Sequence, residues 1–327
     1  MNRTLSLHTR RFELAKAFTI SRGSRTEAAV IEVNIQHGPL AGRGECVPYT
    51  RYGESLESVT AQIETVRSQI EGGLTRGALQ SALPAGAARN ALDCALWDLD
   101  AKTANVPAYI LAGLDCLSPA TTAYTISLAS ASDMQAAAHE ASHRPLLKIK
   151  LGGAGDAARI AAVRKGAPDS TLIVDANEAW TPELYDENIA ACVSAGVVLI
   201  EQPFPANDDA ALEHLPRPIP VCADESVHDR HDLAALRARY DAINIKLDKT
   251  GGLTEALLLA AEGKRLGFQL FVGCMVGSSL AMAPAMLLTA GAQFIDLDGP
   301  LLLKNDRPEG LKYDGSLVYP PASALWG

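Results

Sequence analysis

LLKIK (146–150), LIVDAN (172–177), LIEQP (199–203), VCADES (221–226) and INIKLDK (243–249) are five short apolar runs that each end in charge. With Lys150, Asp175, Glu201, Asp224 and Lys246 as markers, successive steps are 25, 26, 23 and 22 residues. That is the length of one strand, one helix and two loops, so the run predicts consecutive βα units. The C-terminal ends of strands in a parallel barrel share one rim, and the five charges converge there. Three carboxylates flanked by two lysines at such a mouth describe a divalent-metal site with an acid/base group on either side.

Working outward, the alternation of β-rich and Ala-rich segments extends from about residue 121 to 300. Strand candidates are AYTISL (123–128), LLKIKL (146–151), TLIVDAN (171–177), VVLIEQP (197–203), IPVCADE (219–225), AINIKLDK (242–249), FQLFVGCM (268–275) and FIDLDGP (294–300). Helical runs are expected to about 142 and over 154–166, 182–195, 207–215, 229–239, 253–266 and 278–290. Eight strands with seven intervening helices make a (β/α)7β barrel, a modified TIM barrel. Upstream, AAVIEVNI (28–35) alternates like a half-buried strand and HGPLAGRG makes a turn. The runs 54–70 and 87–103 carry apolar residues at helical spacing. The expected organisation is an α+β capping domain over 1–118, the barrel over 119–300, and a tail over 301–327 that completes the capping domain.

Composition narrows the function classes. The chain has 327 residues, 48% hydrophobic and 20% charged, in the range of ordered globular proteins. A net charge of −9 with no basic run argues against nucleic acid or an anionic membrane as partner. The first residues lack the apolar stretch of a secretory signal, and the Leu/Ala-rich parts are broken by charge before they could span a bilayer; a cytoplasmic enzyme is expected. Six cysteines without a CxxC pair predict buried thiols rather than zinc ligands or disulfides.

The rim residues carry the chemistry. Asp175, Glu201 and Asp224 offer three oxygen ligands from adjacent strands, which suits octahedral Mg²⁺, with Mn²⁺ as a substitute. One strand-end acid is an ordinary helix cap, but three on consecutive strands are not. Lys148 and Lys150 are two apart and share a strand face, while Lys246 faces them from across the barrel. Burial and nearby positive charge are expected to bring such a lysine into proton exchange near neutral pH. The α-hydrogen of a carboxylate yields to an amine base only when charge on the developing enediolate is neutralised, so metal-assisted enolisation is the predicted step.

These residues resemble the enolase superfamily in its muconate-lactonising subgroup: Lys148-Ile149-Lys150 as KxK, the DAN, EQP and ADES segments, and NIKLDKTGG after the sixth strand. DLDGP (296–300) makes the likeness closer to the dipeptide epimerases, those acting on L-Ala-D/L-Glu in particular. The resemblance implies one Mg²⁺ on Asp175, Glu201 and Asp224, Lys150 and Lys246 as the two acid/base catalysts, and Lys148 on the substrate carboxylate. It also implies Asp296 and Asp298 on the α-ammonium of a small dipeptide. An arginine from AFTISRGSRTEA (17–28) would take the glutamyl side chain, with Arg22 as first candidate and Arg25 as second. Thr125, Gly273 and Met275 fall in segments similar to substrate walls. The implied reaction is reversible 1,1-proton transfer at the α-carbon of the C-terminal residue, in recycling of murein peptides. Dipeptide epimerases of other side-chain preference and N-acylamino acid racemases are the alternatives, and a homo-oligomer is compatible with the likeness.

Overall fold

The computed structural model describes residues 3–231 and 233–327. Met1 and Asn2, in the span expected for the capping domain, and Asp232, within the helix expected over 229–239, lie outside the described residues.

The chain opens with an antiparallel sheet of β1 (Arg3–Ile20), β2 (Gly23–His37) and β3 (Leu40–Cys46) in the order β1-β2-β3. Apolar residues on one face of β2, Ile31, Val33 and Ile35, pack against helices Leu56–Thr65 and Ala87–Ala104. The second of these helices is buried on both sides. Leu92 and Leu99 belong to the capping core, whereas Cys94, Trp97 and Ala101 belong to the barrel core, so the helix is the hinge plate between the two units.

After a short β4 (Ala120–Thr121) come the eight barrel strands: β5 (Tyr124–Ile126), β6 (Leu146–Lys150), β7 (Thr171–Asp175), β8 (Val197–Glu201), β9 (Val221–Ala223), β10 (Ala242–Ile245), β11 (Gln269–Val272) and β12 (Phe294–Ile295). All neighbours pair in parallel and in sequence order. The ring closes where Ala123 N–H donates to Ile295 O at 2.7 Å and Leu297 N–H to Thr122 Oγ1 at 2.8 Å. After β12 the chain makes only the turn of helix Gly299–Leu302 and leaves the barrel, which gives the (β/α)7β form of the fold.

Side chains of a strand alternate in direction, and that period fixes where function sits. Ala123, just ahead of β5, and Leu146, Ile173, Leu199, Cys222, Ala242, Phe271 and Phe294, one from each of β6 to β12, form an apolar plug inside the barrel. Two residues farther along every strand lies a polar collar: Thr125, Lys148, Asp175, Glu201, Asp224, Asn244, Gly273 and Asp296. Another two residues bring Lys150, Asn177, Lys246 and Asp298 to the mouth.

Some expected helices shrink. The run 207–215 yields only the 3-10 turn Ala210–Glu213, and among the described residues of 229–239 only Leu233–Leu236 is helical. Asp209 does not cap a helix; its carboxylate accepts from Ser226, Tyr240 and Arg239, and Pro216, Pro218 and Pro220 follow at once. The run 278–290 is helical over Ser279–Ala285 and then tightens to 3-10 geometry.

The tail touches both units. β13 (Tyr313–Asp314) and β14 (Leu317–Val318) form a hairpin on β4 at the N-terminal end of the barrel, while Trp326 Nε1 donates to Cys94 O and Gly327 N–H to Asp98 on the capping helix. Of the six free thiols, Cys46, Cys94, Cys192 and Cys222 are buried, Cys274 is half-buried, and Cys116 is exposed, contrary to the expectation for that one. Among the described residues no helix is long and apolar enough to cross a membrane.

The capping helix docks on the turn that follows Lys246. Arg89 donates to Thr250 O (2.7 Å) and Gly251 O (3.0 Å), and Asp93 accepts from Thr254 N–H and its hydroxyl. Gly252 lies at φ 116° and ψ 175°, a region open essentially to glycine alone, and a Cβ there would sit 2.5 Å from Asp93. Gly252→Ala is therefore expected to destabilise the protein by about 2–3 kcal/mol, read from the shift of the denaturant midpoint at unchanged slope.

Candidate active site

The collar residues Asp175 on β7 and Glu201 on β8 are side by side in register, and Lys150, one layer nearer the mouth on β6, pairs with Asp175. Asp175, Glu201 and Asp224 are buried, and each offers an oxygen within 4.8 Å of the others, the arrangement a divalent ion needs. Lysines hold this ring together. Lys148 Nζ lies 2.7 Å from Glu201 Oε2, 2.9 Å from Asp296 Oδ2 and 3.3 Å from Asp175 Oδ2, with the Phe271 ring of the apolar plug 5.0 Å away. Lys150 Nζ is 2.6 Å from Asp175 Oδ2, and Lys246 Nζ is 2.6 Å from Asp224 Oδ2.

Burial alone would drive the Lys148 ammonium toward its neutral form, but Asp296, Glu201 and Asp175 outweigh it and hold its pKa well above the ordinary lysine value. The same balance applies to Lys246. Burial lowers its pKa, yet Asp224 and Glu201 raise it beyond the ordinary value, so the expected release of its proton near neutral pH is not met while Asp224 is its counter-ion. Asp175 and Asp224 are depressed despite their burial, by Lys150 and Lys148 in one case and by Lys246 and Lys249 in the other. Glu201 goes the other way, pushed up to about 7 by burial and by Asp175. Its Oε2 touches Lys148 without hydrogen-bond geometry. The ring is thus short of positive charge at Glu201, and a divalent cation fits that deficit and the all-oxygen donor set. Engaging Asp224 with such an ion would also relieve its hold on Lys246.

Three supporting residues escaped the sequence reading. Asn244, in the collar two residues before Lys246, donates from Nδ2 to Glu201 Oε1 at 2.6 Å. Gly273, expected as substrate wall, makes room for it, since a Cβ there would meet Asn244 Oδ1 at 2.5 Å. The two-residue step from the apolar plug would have pointed to Asn244. Lys249 Nζ donates to Asp224 Oδ1 (2.6 Å) and Asn244 O (2.9 Å), so one oxygen of Asp224 has a permanent partner. Gln202, at φ 37°, accepts from Asp224 N–H (2.8 Å) and Ser226 N–H (3.1 Å), fixing the strand end that presents Asp224.

At the barrel seam Asp298 Oδ2 accepts from Thr125 N–H at 2.7 Å. Burial and the neighbouring Asp296 push the Asp298 carboxyl up to about 7. Asp296 Oδ1 is buried without a partner. These two carboxyls form an anionic corner able to receive a cation.

The capping domain roofs the mouth. A small cavity lies between Phe18, Arg25, Tyr49 and Tyr52 above and Lys150 and Lys246 below, with Met275 on its wall. Arg22 also lines it, but its guanidinium is spent on protein acceptors: Asn177 O (2.9 Å), Glu225 Oε1 (2.6 Å), Glu178 Oε2 (3.1 Å) and Tyr49 OH (3.0 Å). Arg25 lies over the Tyr49 ring at 5.7 Å, and its guanidinium has no hydrogen bond or ion pair among the described residues.

Residues 120–309 match the family described as Enolase C-terminal domain-like, and residues 3–113 match the mandelate racemase / muconate lactonizing enzyme N-terminal domain. The chain belongs to the enolase superfamily. Within that superfamily it is 47% identical over 313 residues to the L-Ala-D/L-Glu epimerase of Escherichia coli, covering 95% of this chain and 98% of the relative. It is 46% identical over 303 residues to an N-acetyl-D-glutamate racemase from Pseudoalteromonas, covering 91% and 95%. A crystal structure from Agrobacterium tumefaciens, an enolase family member with homology to dipeptide epimerases and with bound sodium and L-Ala-L-Glu, superimposes with a TM-score of 0.98 at 54% identity, covering 99% of this chain and all of that one. The chain is an isomerase of the epimerase and racemase type, as its likeness to these relatives and its ring of three carboxylates support.

Proposed function

We propose that this protein is an L-Ala-D/L-Glu epimerase that inverts the α-carbon of the C-terminal glutamyl residue. The observation that carries the reading is the opposition of Lys150 and Lys246: β6 and β10 are four steps apart in a ring of eight, so the two ammonium groups approach a bound α-carbon from opposite faces. Asp175, Glu201 and Asp224 would hold one Mg²⁺, which supplies neutralisation of the charge that builds on the substrate carboxylate. Lys148, fixed between Glu201 and Asp296, adds positive charge to the same corner. One lysine takes the α-proton as the C–H electron pair moves toward the carboxylate carbon, giving the enediolate. The other, already protonated, returns a proton from the far side. Removal from one face and delivery to the other inverts the centre, and exchanging the roles runs the reaction backward.

Asp296 and Asp298 receive the α-ammonium of the dipeptide, repaying the cost of two buried like charges. Arg25 takes the γ-carboxylate, since Arg22 is already paired. A cytoplasmic place in the recycling of murein peptides fits this substrate. With Arg25→Met, KM for L-Ala-L-Glu is expected to rise about tenfold or more while turnover of L-Ala-L-Gln is little changed. Equal losses on both dipeptides would point to an epimerase of another side-chain preference.

A second reading, racemisation of an N-acylglutamate, is favoured by one observation: Asp298 titrates near 7 in its buried corner, so its neutral form can donate to an acyl carbonyl. The two readings have opposite pH signatures. A dipeptide needs Asp298 ionised, so its kcat/KM falls as pH drops below about 7; an N-acyl substrate needs the protonated acid and gains over the same interval. Comparing kcat/KM for L-Ala-L-Glu and N-acetyl-L-glutamate between these limits separates them, and Asp298→Asn should depress only the dipeptide reaction.

A further inference from the structure

The β1–β2 connection just ahead of Arg25 is fastened to the barrel by a second arginine. Arg22 reaches down from the β1–β2 connection to three barrel acceptors, all immediately downstream of the carboxylate ring: Asn177 O and Glu178 Oε2 follow Asp175, and Glu225 Oε1 follows Asp224. Ser21 Oγ adds a donation to the same Asn177 O at 2.9 Å. Glu178 is itself rigidly held. It accepts from Ala206 N–H at 2.9 Å, from Arg51 in a two-point contact at 2.8 Å each, and its own N–H donates to Gln202 O at 2.9 Å. Tyr49 lies between the two arginines, with Arg22 at 5.9 Å and Arg25 at 5.7 Å from its ring centre and its hydroxyl accepting from Arg22.

We propose that Arg22 is a positioning residue: its bonds to Glu225, Glu178 and Asn177 clamp the β1–β2 connection over the mouth and hold Tyr49 in place, a roof common to every dipeptide. The inference rests on the reading of Arg25 as the side-chain ligand, but it divides the two arginines by a property either can be tested for. Contacts made by Arg22 are to protein, so they are the same whichever dipeptide is bound. Its loss removes binding common to all substrates, whereas the loss of Arg25 removes discrimination. Glu225 belongs to the clamp through the same bond, so the effects of Arg22 and Glu225 are coupled.

The test pairs an activity-independent readout with a kinetic one, using Arg22→Met, Glu225→Gln, the double variant and Arg22→Lys in the full-length protein. Tryptic cleavage after Arg25 is expected to be faster in Arg22→Met than in the parent and partly restored to its slow rate in Arg22→Lys. On L-Ala-L-Glu and L-Ala-L-Gln, Arg22→Met is expected to lower kcat/KM by the same factor, about tenfold or more, with the double variant no worse than the more impaired single one. Unchanged cleavage, or independent multiplication of the two single effects, would overturn the clamp. A loss confined to L-Ala-L-Glu, with cleavage unchanged, would instead make Arg22 a substrate ligand. Should neither dipeptide be turned over by the parent, the substrate assignment fails while cleavage still decides the clamp.

Discussion

Lys150→Met is expected to lower epimerisation by roughly a thousandfold or more while leaving half of the proton chemistry intact. The methionine keeps the stem and removes only the ammonium, so the diastereomer whose α-hydrogen faces Lys246 still loses that hydrogen to solvent, and its epimer does not. Lys246→Met should give the mirror-image result. The asymmetry follows from β6 and β10 standing on opposite sides of the ring. A single catalytic base acting on both faces would predict that one variant loses both exchanges and the other loses neither. Following α-hydrogen washout separately for L-Ala-L-Glu and L-Ala-D-Glu in D₂O distinguishes these outcomes.

Glu201→Gln is expected to be as damaging, by a different route. Replacing one of three carboxylate ligands with a neutral amide should abolish Mg²⁺ binding in calorimetric titration and lower turnover by roughly a thousandfold or more. The same variant should be more stable than the parent when both are metal-free. The carboxyl of Glu201 titrates at about 7 in the fold against an ordinary 4.5, so the folded state binds its proton more tightly than the unfolded chain. The stability this confers is complete below about 4.5 and is lost as pH climbs through 7. At pH 8 the parent carries an ionised, buried Glu201 beside Asp175, and the amide does not. Thermal melts at pH 8 with and without Mg²⁺ check both halves: the parent gains stability from the ion, while Glu201→Gln starts higher and gains none.

Much of the fold was legible because the charges that end the strands recur at the length of a βα unit, and because each marker follows an apolar run that must be interior. The collar was legible for the same reason. Lys148, Asp175, Glu201, Asp224 and Asp296 each stand two residues beyond a member of the apolar plug, and a strand has no other way to direct them. Asn244 obeys the same step, but an amide without charge carries no chemical flag, and it passed unnoticed. Gly273 was noticed as a wall segment; the absent Cβ that leaves room for Asn244 shows in a sequence only once Asn244 is placed beside it.

The arginines mark where reading a chain stops. Arg22 and Arg25 are alike in sequence, three apart in one turn, and their difference is made by Glu225, 203 residues downstream, and by Asn177 and Glu178 on another strand end. Long-range pairing between a capping turn and barrel loops leaves no period or spacing to find. The short segments 207–215 and 229–239 were misjudged for a related reason: Asp209 and Arg239 serve a network that supports Gln202, and tertiary demand overrides helix-forming composition there.

Whether two lysines act on one α-carbon from opposite faces is decided by proton NMR of L-Ala-L-Glu incubated with the protein and Mg²⁺ in D₂O, following the α-hydrogen of the glutamyl residue and the signals of L-Ala-D-Glu together. The epimer is expected to appear carrying deuterium at that carbon from its first detection, because the proton returned comes from the second, solvent-exchanged lysine. Epimer that retains the original hydrogen, or no loss of the α-hydrogen with Mg²⁺ bound, would contradict action from both faces.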